Sequence, residues 1–156
     1  NAEYGDHQTD YELNDAIVEN AELQHDFNER RRKYPIDTGY QHGLFNRTDL
    51  SQCLDFDSLL LVQARNVDTH RVQFIYQDEE AGHPVYFLKT GDGRFLSVSD
   101  QNTLLLSEAD QSKVFSFIRV KAFFLIKHDG KYLNRELKFV ENSEPENEAE
   151  LLWRVM

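Results

Sequence analysis

The sequence predicts an all-β domain made of three degenerate repeats and preceded by one N-terminal α-helix. Three observations support this prediction: an 11-residue stretch that recurs 37 residues later, short β-type runs separated by turn residues from Leu44 onward, and an amphipathic pattern that stops at Pro35. At 156 residues the chain has room for one ordinary domain and an appendage. We therefore predict an acidic helical arm over residues 1–36 and a β-domain over residues 37–156.

The arm begins with a capping-box pattern, in which Thr9 caps a helix and Glu12 reaches back to the backbone of Thr9. Apolar residues then recur at helical spacing, at Leu13, Ile17, Ala21, Leu23 and Phe27. The segment ends with four basic residues, which interact favourably with the negative end of the helix dipole: Arg30, Arg31, Arg32 and Lys33. Pro35 ends the helix because it lacks the backbone N–H that the ladder needs. The apolar stripe is narrow, so we expect the helix to lie against the domain or against a partner.

The repeat on which the fold prediction depends contains an Asp-Gly turn. Residues 86–96 (YFLKTGDGRFL) recur as residues 123–133 (FFLIKHDGKYL) without a gap. Each copy consists of an apolar strand, a turn, a cation, an aromatic residue and a leucine. Asp-Gly is a strong hairpin signal because both residues tolerate the positive φ of a two-residue turn. We therefore expect two hairpins in equivalent positions.

The second half of each unit also repeats. Leucine-rich runs occupy residues 58–61 and 103–106, and a looser copy occupies residues 137–140. Each run leads through a polar turn to a closing strand, at residues 72–76, 114–118 and 151–155. The first unit has no clear hairpin turn, and its candidate strands are residues 43–45 and 52–54.

Three units of four short strands predict a closed barrel with threefold pseudosymmetry, which is the β-trefoil. Such a barrel removes exposed sheet edges and fills its centre with one aromatic residue or leucine from each unit. An immunoglobulin-like sandwich is the alternative, but it does not explain the repeat at an offset of 37 residues.

The repeat motif resembles that of the fascin-like β-trefoils. Residues 93–96 (GRFL) and 130–133 (GKYL) match the signature of this group, which continues into a leucine-rich strand, a polar turn and an aromatic closing strand. The resemblance covers about 70 residues closely and about 115 loosely. It implies the β-trefoil fold and, for the bundling members, association with actin. The basic patches expected of an actin bundler are not evident in this sequence.

Other trefoil groups match less well. A ricin-type lectin repeats Gln-x-Trp, whereas Trp153 is the only tryptophan here and Leu151 occupies the glutamine position. Fibroblast growth factors use a basic heparin-binding surface, which this acidic chain lacks. Interleukin-one-like cytokines are often acidic and free of disulfides, so a secreted cytokine-like ligand stays open as an alternative.

The charge balance narrows the class of partner. The chain carries 28 acidic and 17 basic residues, a formal net charge of −11. Nucleic acids and anionic membranes bind faces rich in Lys and Arg, and the sequence shows no such face. A basic or neutral protein surface suits this charge better. We therefore predict a protein partner, no nucleic acid and no membrane, with a glycan as an alternative ligand.

Two features are candidates for the partner-binding surface. The first is the apolar and basic side of the arm, formed by Leu13, Ile17, Leu23, Phe27, Arg30, Arg31 and Arg32. The second is an acidic loop over residues 141–150, which contains Glu144, Glu146 and Glu148. A shorter acidic turn lies at residues 78–80. Clustered acids accelerate association with a basic partner through long-range attraction.

No residue pattern predicts a catalytic site, a metal or a cofactor. Cys53 is the only cysteine and lacks a nucleophile signature, so we expect it to be a small buried residue. The histidines lack the spacing of a metal site and are scattered at His7, His25, His42, His70, His83 and His128. Asp92 and Asp129 are candidate acceptors for sugar hydroxyls, although turn chemistry alone explains them. Residues 46–48 match a glycosylation sequon, which we attribute to chance.

The sequence therefore predicts a non-catalytic protein-interaction or scaffolding module that binds through its helical arm and acidic loops. The alternatives are a secreted cytokine-like receptor ligand, a glycan-binding lectin and an actin-associated fascin-like protein. A single cysteine forms no intramolecular disulfide, which favours the cytoplasm, or secretion if a leader is removed before Asn1.

Overall fold

The computed structural model describes residues 20–21 and 35–156. The chain forms two compact units, Asn1–Pro35 and Ile36–Met156. In the first unit Asn20 and Ala21 have helical backbone. The predicted N-terminal helix otherwise lies outside the described residues. Residues 35–156 contain no α-helix.

The second unit is all-β. Its described residues form thirteen strands: β1 (Gln41–His42), β2 (Leu44–Asn46), β3 (Gln52–Asp55), β4 (Leu60–Gln63), β5 (Val72–Glu80), β6 (His83–Thr90), β7 (Phe95–Val98), β8 (Leu104–Ser107), β9 (Phe115–Val120), β10 (Phe123–His128), β11 (Lys131–Leu133), β12 (Phe139–Val140) and β13 (Leu152–Val155). Short 3-10 helices precede the closing strands β5, β9 and β13, at Asp68–His70, Ala109–Gln111, Pro145–Asn147 and Ala149–Leu151. The three predicted closing strands and both Asp-Gly hairpins are confirmed.

The first and last strands of each repeat form a closed ring. Strand β5 pairs with β6, β6 with β9, β9 with β10, and β10 with β13, all antiparallel. The ring closes because β13 pairs with β2 while β1 pairs with β5. Strands β1 and β2 are thus two halves of one barrel strand, and the predicted β-trefoil is confirmed.

Gly43 separates β1 from β2 at the closure of the barrel. Its backbone N–H donates to Met156 O at 2.7 Å, and its carbonyl accepts from Met156 N at 3.1 Å. A Cβ at this position would lie 2.9 Å from the Phe45 ring and 3.2 Å from the carbonyl oxygen of His70. A side chain here would therefore clash with the Phe45 ring and crowd the His70 carbonyl, which favours glycine.

The other six strands form three hairpins, β3–β4, β7–β8 and β11–β12. A side-chain oxygen at the end of the first strand accepts backbone N–H groups of each turn, and these residues are Asp55, Ser99 and Asn134. Each turn also contains one non-glycine residue at positive φ, namely Leu59 (54°), Asn102 (60°) and Leu137 (62°). The same turn construction in all three repeats reflects the pseudosymmetry.

The strand register explains why the first repeat is hard to recognise in the sequence. Cys53 pairs with the preceding barrel strand at the position that Phe95 and Tyr132 occupy in the other repeats. The Asp-Gly turn is replaced by a longer connection, in which Asn46 and Asp49 side chains accept N–H groups two residues ahead. The predicted strands of this repeat are confirmed as β2 and β3.

Each closing strand carries an aromatic residue with an exposed fraction of 0%: Phe74, Phe117 and Trp153. The rings of Phe74 and Phe117 meet edge to face, with centroids 5.0 Å apart. The Trp153 indole donates to the Leu133 carbonyl at 3.0 Å. Ile36 also belongs to this core, so packing of the β-domain begins one residue before its predicted start at residue 37.

Candidate functional site

The acidic loop, residues 141–150, has a defined conformation. Pro145 and Leu151 are buried and anchor the two 3-10 helices of the segment. At its start, Asn142 Oδ1 accepts the Glu144 N–H at 2.8 Å. At its end, the Glu150 carbonyl accepts from Asn46 Nδ2 at 2.9 Å. The loop is therefore ordered by its own turns and buried residues, and the bond from Asn46 attaches its end to strand β2.

Glu144, Glu146 and Glu148 project from this loop and are exposed. Glu144 accepts a hydrogen bond from Asn147 Nδ2 at 3.2 Å. Within the described part of the chain, ion pairs join Arg94 to Asp57 and Asp92, and His70 to Asp55. The three loop carboxylates therefore have no described cationic partner, and they present concentrated negative charge to solvent.

The other half of the predicted binding surface is the apolar and basic side of the arm. Its residues all lie outside the described residues: Leu13, Ile17, Leu23, Phe27, Arg30, Arg31 and Arg32. Their role in binding stays a prediction.

The second acidic turn, residues 78–80, ends strand β5 and is partly structural. The Glu80 carboxylate accepts from the Ser116 hydroxyl at 3.0 Å, which ties this hairpin to β9. Its neighbours Ala81 and Gly82 form the turn at positive φ. Acidic residues here therefore contribute to packing as well as to surface charge.

Asp92 and Asp129 occupy matching turns but have different surroundings. Asp92 accepts from the Thr90 hydroxyl and from Arg94 Nε, the latter at 2.9 Å. These hydrogen bonds from Arg94 and Thr90 lower the pKa of Asp92 to about 2. Arg94 also donates to Asp57 Oδ1 at 2.9 Å, across 37 residues of sequence. Asp129 lies at φ 50° and pairs with no described cation, so turn chemistry accounts for it.

Sequence reasoning did not identify the ion-paired set Asp57, Asp92 and Arg94 as a unit. No local pattern links Asp57 to Arg94, because the first lies in the β3–β4 turn and the second in the β6–β7 turn. The link exists only because the barrel brings adjacent repeats together.

Cys53 and a histidine, His70, line the same pocket of the domain. His70 is buried, accepts the Arg65 N–H on Nδ1 at 3.1 Å and has Nε2 3.8 Å from Asp55 Oδ2. Cys53 itself is only 1% exposed. Desolvation and the negative charge of Asp55 raise the pKa of the Cys53 thiol, which disfavours the reactive thiolate. The geometry fits the predicted buried role of this cysteine.

The sequon at residues 46–48 is a structural motif. Asn46 is 1% exposed, and its Nδ2, the atom that would hold a glycan, donates to the Glu150 carbonyl. Its Oδ1 accepts from the Thr48 N–H at 3.1 Å and from the Thr48 hydroxyl at 2.6 Å. The native fold therefore leaves no room for a glycan on this nitrogen.

Residues 35–156 contain no group of three or more His, Cys, Asp or Glu side chains that could together bind a metal ion. No helix in the described part is both long and apolar enough to span a membrane.

Of the comparisons with known proteins, the one with solved structures found a similarity. No family model matches the sequence, and no curated protein matches it either. The structure is similar to a solved BEL β-trefoil in an apo crystal form, with a TM-score of 0.61 and 17% sequence identity. The match covers 77% of this chain and 94% of that chain. At this identity the similarity shows the β-trefoil fold alone.

Proposed function

We propose that this protein is a non-catalytic interaction module that binds a basic protein surface through the acidic loop. One observation supports this most directly: Glu144, Glu146 and Glu148 are held on an anchored loop and have no described cationic partner. A fixed loop loses little conformational freedom on binding, and more of the interaction energy is therefore retained as affinity.

Electrostatics determines what such a loop contributes. Exposed charges at the edge of an interface mainly raise the association rate and suppress wrong partners. The whole chain carries a formal charge of −11, and its long-range field therefore adds to the attraction of a basic partner. We therefore expect association with a basic partner to slow as salt is added, with a smaller change in the dissociation rate.

The helical arm belongs to this proposal as a second contact. A narrow apolar stripe followed by four bases fits a groove that is apolar in its centre and acidic at one end. Deletion of residues 1–33 tests the arm separately from the loop. Unchanged capture of the partner by the truncated chain would remove the arm from the binding surface.

The loop is tested by neutralising its three carboxylates in the full chain, as E144Q/E146Q/E148Q. A matched control removes three exposed carboxylates elsewhere, as D100N/E108Q/D110N, and changes the net charge equally. Partners are captured from the native source and identified by mass spectrometry, and association rates are then measured with the purified partner. The loop variant should associate about tenfold more slowly, whereas the control should stay within about twofold. Equal slowing in both variants would contradict a localised binding surface.

We also propose that the β-domain is related by descent to the fascin-like β-trefoils. This proposal is supported by residues 93–96 and 130–133, which run from the glycine of each Asp-Gly turn into strands β7 and β11. Because these residues form hairpin turns and strands of the fold, they carry no argument for actin binding. Sedimentation with filamentous actin tests that activity directly, and the interaction-module proposal does not depend on its outcome.

A further inference from the structure

A polar cleft of about 370 Å³ opens between the first and second repeats. Its walls come from the β3–β4 turn, the 3-10 helix Asp68–His70 and the β6–β7 turn, and Gln41 of β1 lies at its side. A volume of this order is within the range of small-molecule sites, which is roughly 300–1,000 Å³. The charged and amide side chains that line it are Gln41, Asp57, Asp68, Arg71, Asp92 and Arg94.

One wall of the cleft is rigid. Arg94 donates to Asp92 on its own hairpin and to Asp57 on the neighbouring repeat, each at 2.9 Å. Thr90 donates to the second oxygen of Asp92 and accepts the Arg94 N–H at 3.0 Å. These bonds hold the carboxylates in fixed directions, so the hydrogen-bonding positions that remain on Asp57 and Asp92 are preorganised.

The other wall carries polar groups with no described partner. The side chains of Gln41, Asp68 and Arg71 are exposed and make no hydrogen bond or ion pair to another described residue. Together they offer a carboxylate acceptor, a guanidinium donor and an amide that does both. Donors and acceptors thus face the same space.

The charges in the cleft nearly balance. Three carboxylates, on Asp57, Asp68 and Asp92, are opposed by the guanidinium groups of Arg71 and Arg94. A strongly charged ligand would meet a group of like sign on one of the walls. A hydroxyl group both donates and accepts, so a ligand with several hydroxyls can use both kinds of partner at once.

We propose that this cleft binds a neutral saccharide. The hydroxyls of the sugar donate to Asp57 and Asp68 and accept from Arg71 and Gln41. The site is separate from the acidic loop and does not depend on a protein partner.

The third repeat provides an internal comparison. Its hairpin has Lys127, Asp129 and Lys131 where the second has Thr90, Asp92 and Arg94. Asp129 forms no ion pair with a described residue, and the rigid wall is therefore absent there. A variant of Asp129 changes the same residue type in the same kind of turn but leaves the cleft intact.

The test uses the full chain on an array of neutral, sialylated and sulfated glycans, followed by calorimetry with each neutral glycan bound. We expect neutral glycans to bind, D68A and R71Q each to weaken binding about tenfold or more, and D129N to stay within about twofold. E144Q/E146Q/E148Q should bind glycans normally, which separates this site from the acidic loop. Fluorescence of Trp153 during unfolding checks that each variant is folded.

Three results would overturn the proposal. The first is an array without any neutral glycan bound. The second is preference for sialylated or sulfated glycans, which would indicate an anion site. The third is wild-type affinity in folded D68A and R71Q, which would place the sugar elsewhere on the domain.

Discussion

Replacing Asn46 by alanine tests whether the sequon is a structural element. This buried side chain makes three hydrogen bonds: two from Thr48 and one to the Glu150 carbonyl, across 104 residues of sequence. At about 1 kcal/mol for each bond, N46A should lower the free energy of unfolding by about 3 kcal/mol. T48A removes only the bond from the Thr48 hydroxyl and should cost about 1 kcal/mol. Both variants destroy the sequon equally.

The difference is measurable in the melting temperature. Unfolding the 121 residues of Ile36–Met156 changes the entropy by about 250 cal/mol/K, so that 1 kcal/mol corresponds to about 4 °C. We therefore expect the melting temperature to fall by about 12 °C in N46A and about 4 °C in T48A, followed by the fluorescence of Trp153, the only tryptophan. Equal losses would refute the reasoning. So would mass spectrometry that finds a glycan on Asn46 in natively folded protein made through a secretory pathway.

Three further predictions concern single side chains. Asp92 should titrate with a pKa of about 2 when followed by NMR, because its pKa is depressed in the folded state. The stability that its charge contributes is present above the unfolded pKa near 3.8 and is lost as pH falls toward 2. An inflection near 3.8 would contradict the pairing with Arg94. Cys53 should resist a thiol reagent in the native state at pH 8 and react within the mixing time in denaturant, whereas rapid native labelling would show an accessible thiolate. G130A should lower the free energy of unfolding by about 1 kcal/mol, because Gly130 lies at φ 75°. G91A should leave the free energy of unfolding nearly unchanged, because Gly91 has no close neighbour and no positive φ. Equal losses in thermal unfolding would argue against the turn geometry.

The fold could be predicted because its evidence is local. Each Asp-Gly turn, and each aromatic closing strand, is encoded within about ten residues, and repetition at a fixed offset makes the pattern visible. The first repeat was harder to recognise because Cys53 replaces an aromatic residue and two Asx turns replace the Asp-Gly turn. The strand register and the backbone hydrogen bonds persist when such side chains are replaced, but the sequence similarity between the repeats is lost.

The candidate sites divide in the same way. The acidic loop was visible because its glutamates are neighbours in sequence, and the structure added only that the loop is anchored by Pro145, Leu151 and Asn46. The cleft was not visible as a unit, because Gln41, Asp68 and Asp92 lie far apart in the chain and only Asp92, in the Asp-Gly turn, belongs to a recognisable motif.

The sequence alone determined the repeat, the all-β class and the negative charge, since each follows from residue type and short-range order. Only the tertiary structure decided which side chains meet: Arg94 with Asp57, Asn46 with Glu150, and the polar groups of the cleft with one another. The physical reason is that barrel closure brings together residues from different repeats, and hydrogen bonds between them leave no trace in the sequence pattern.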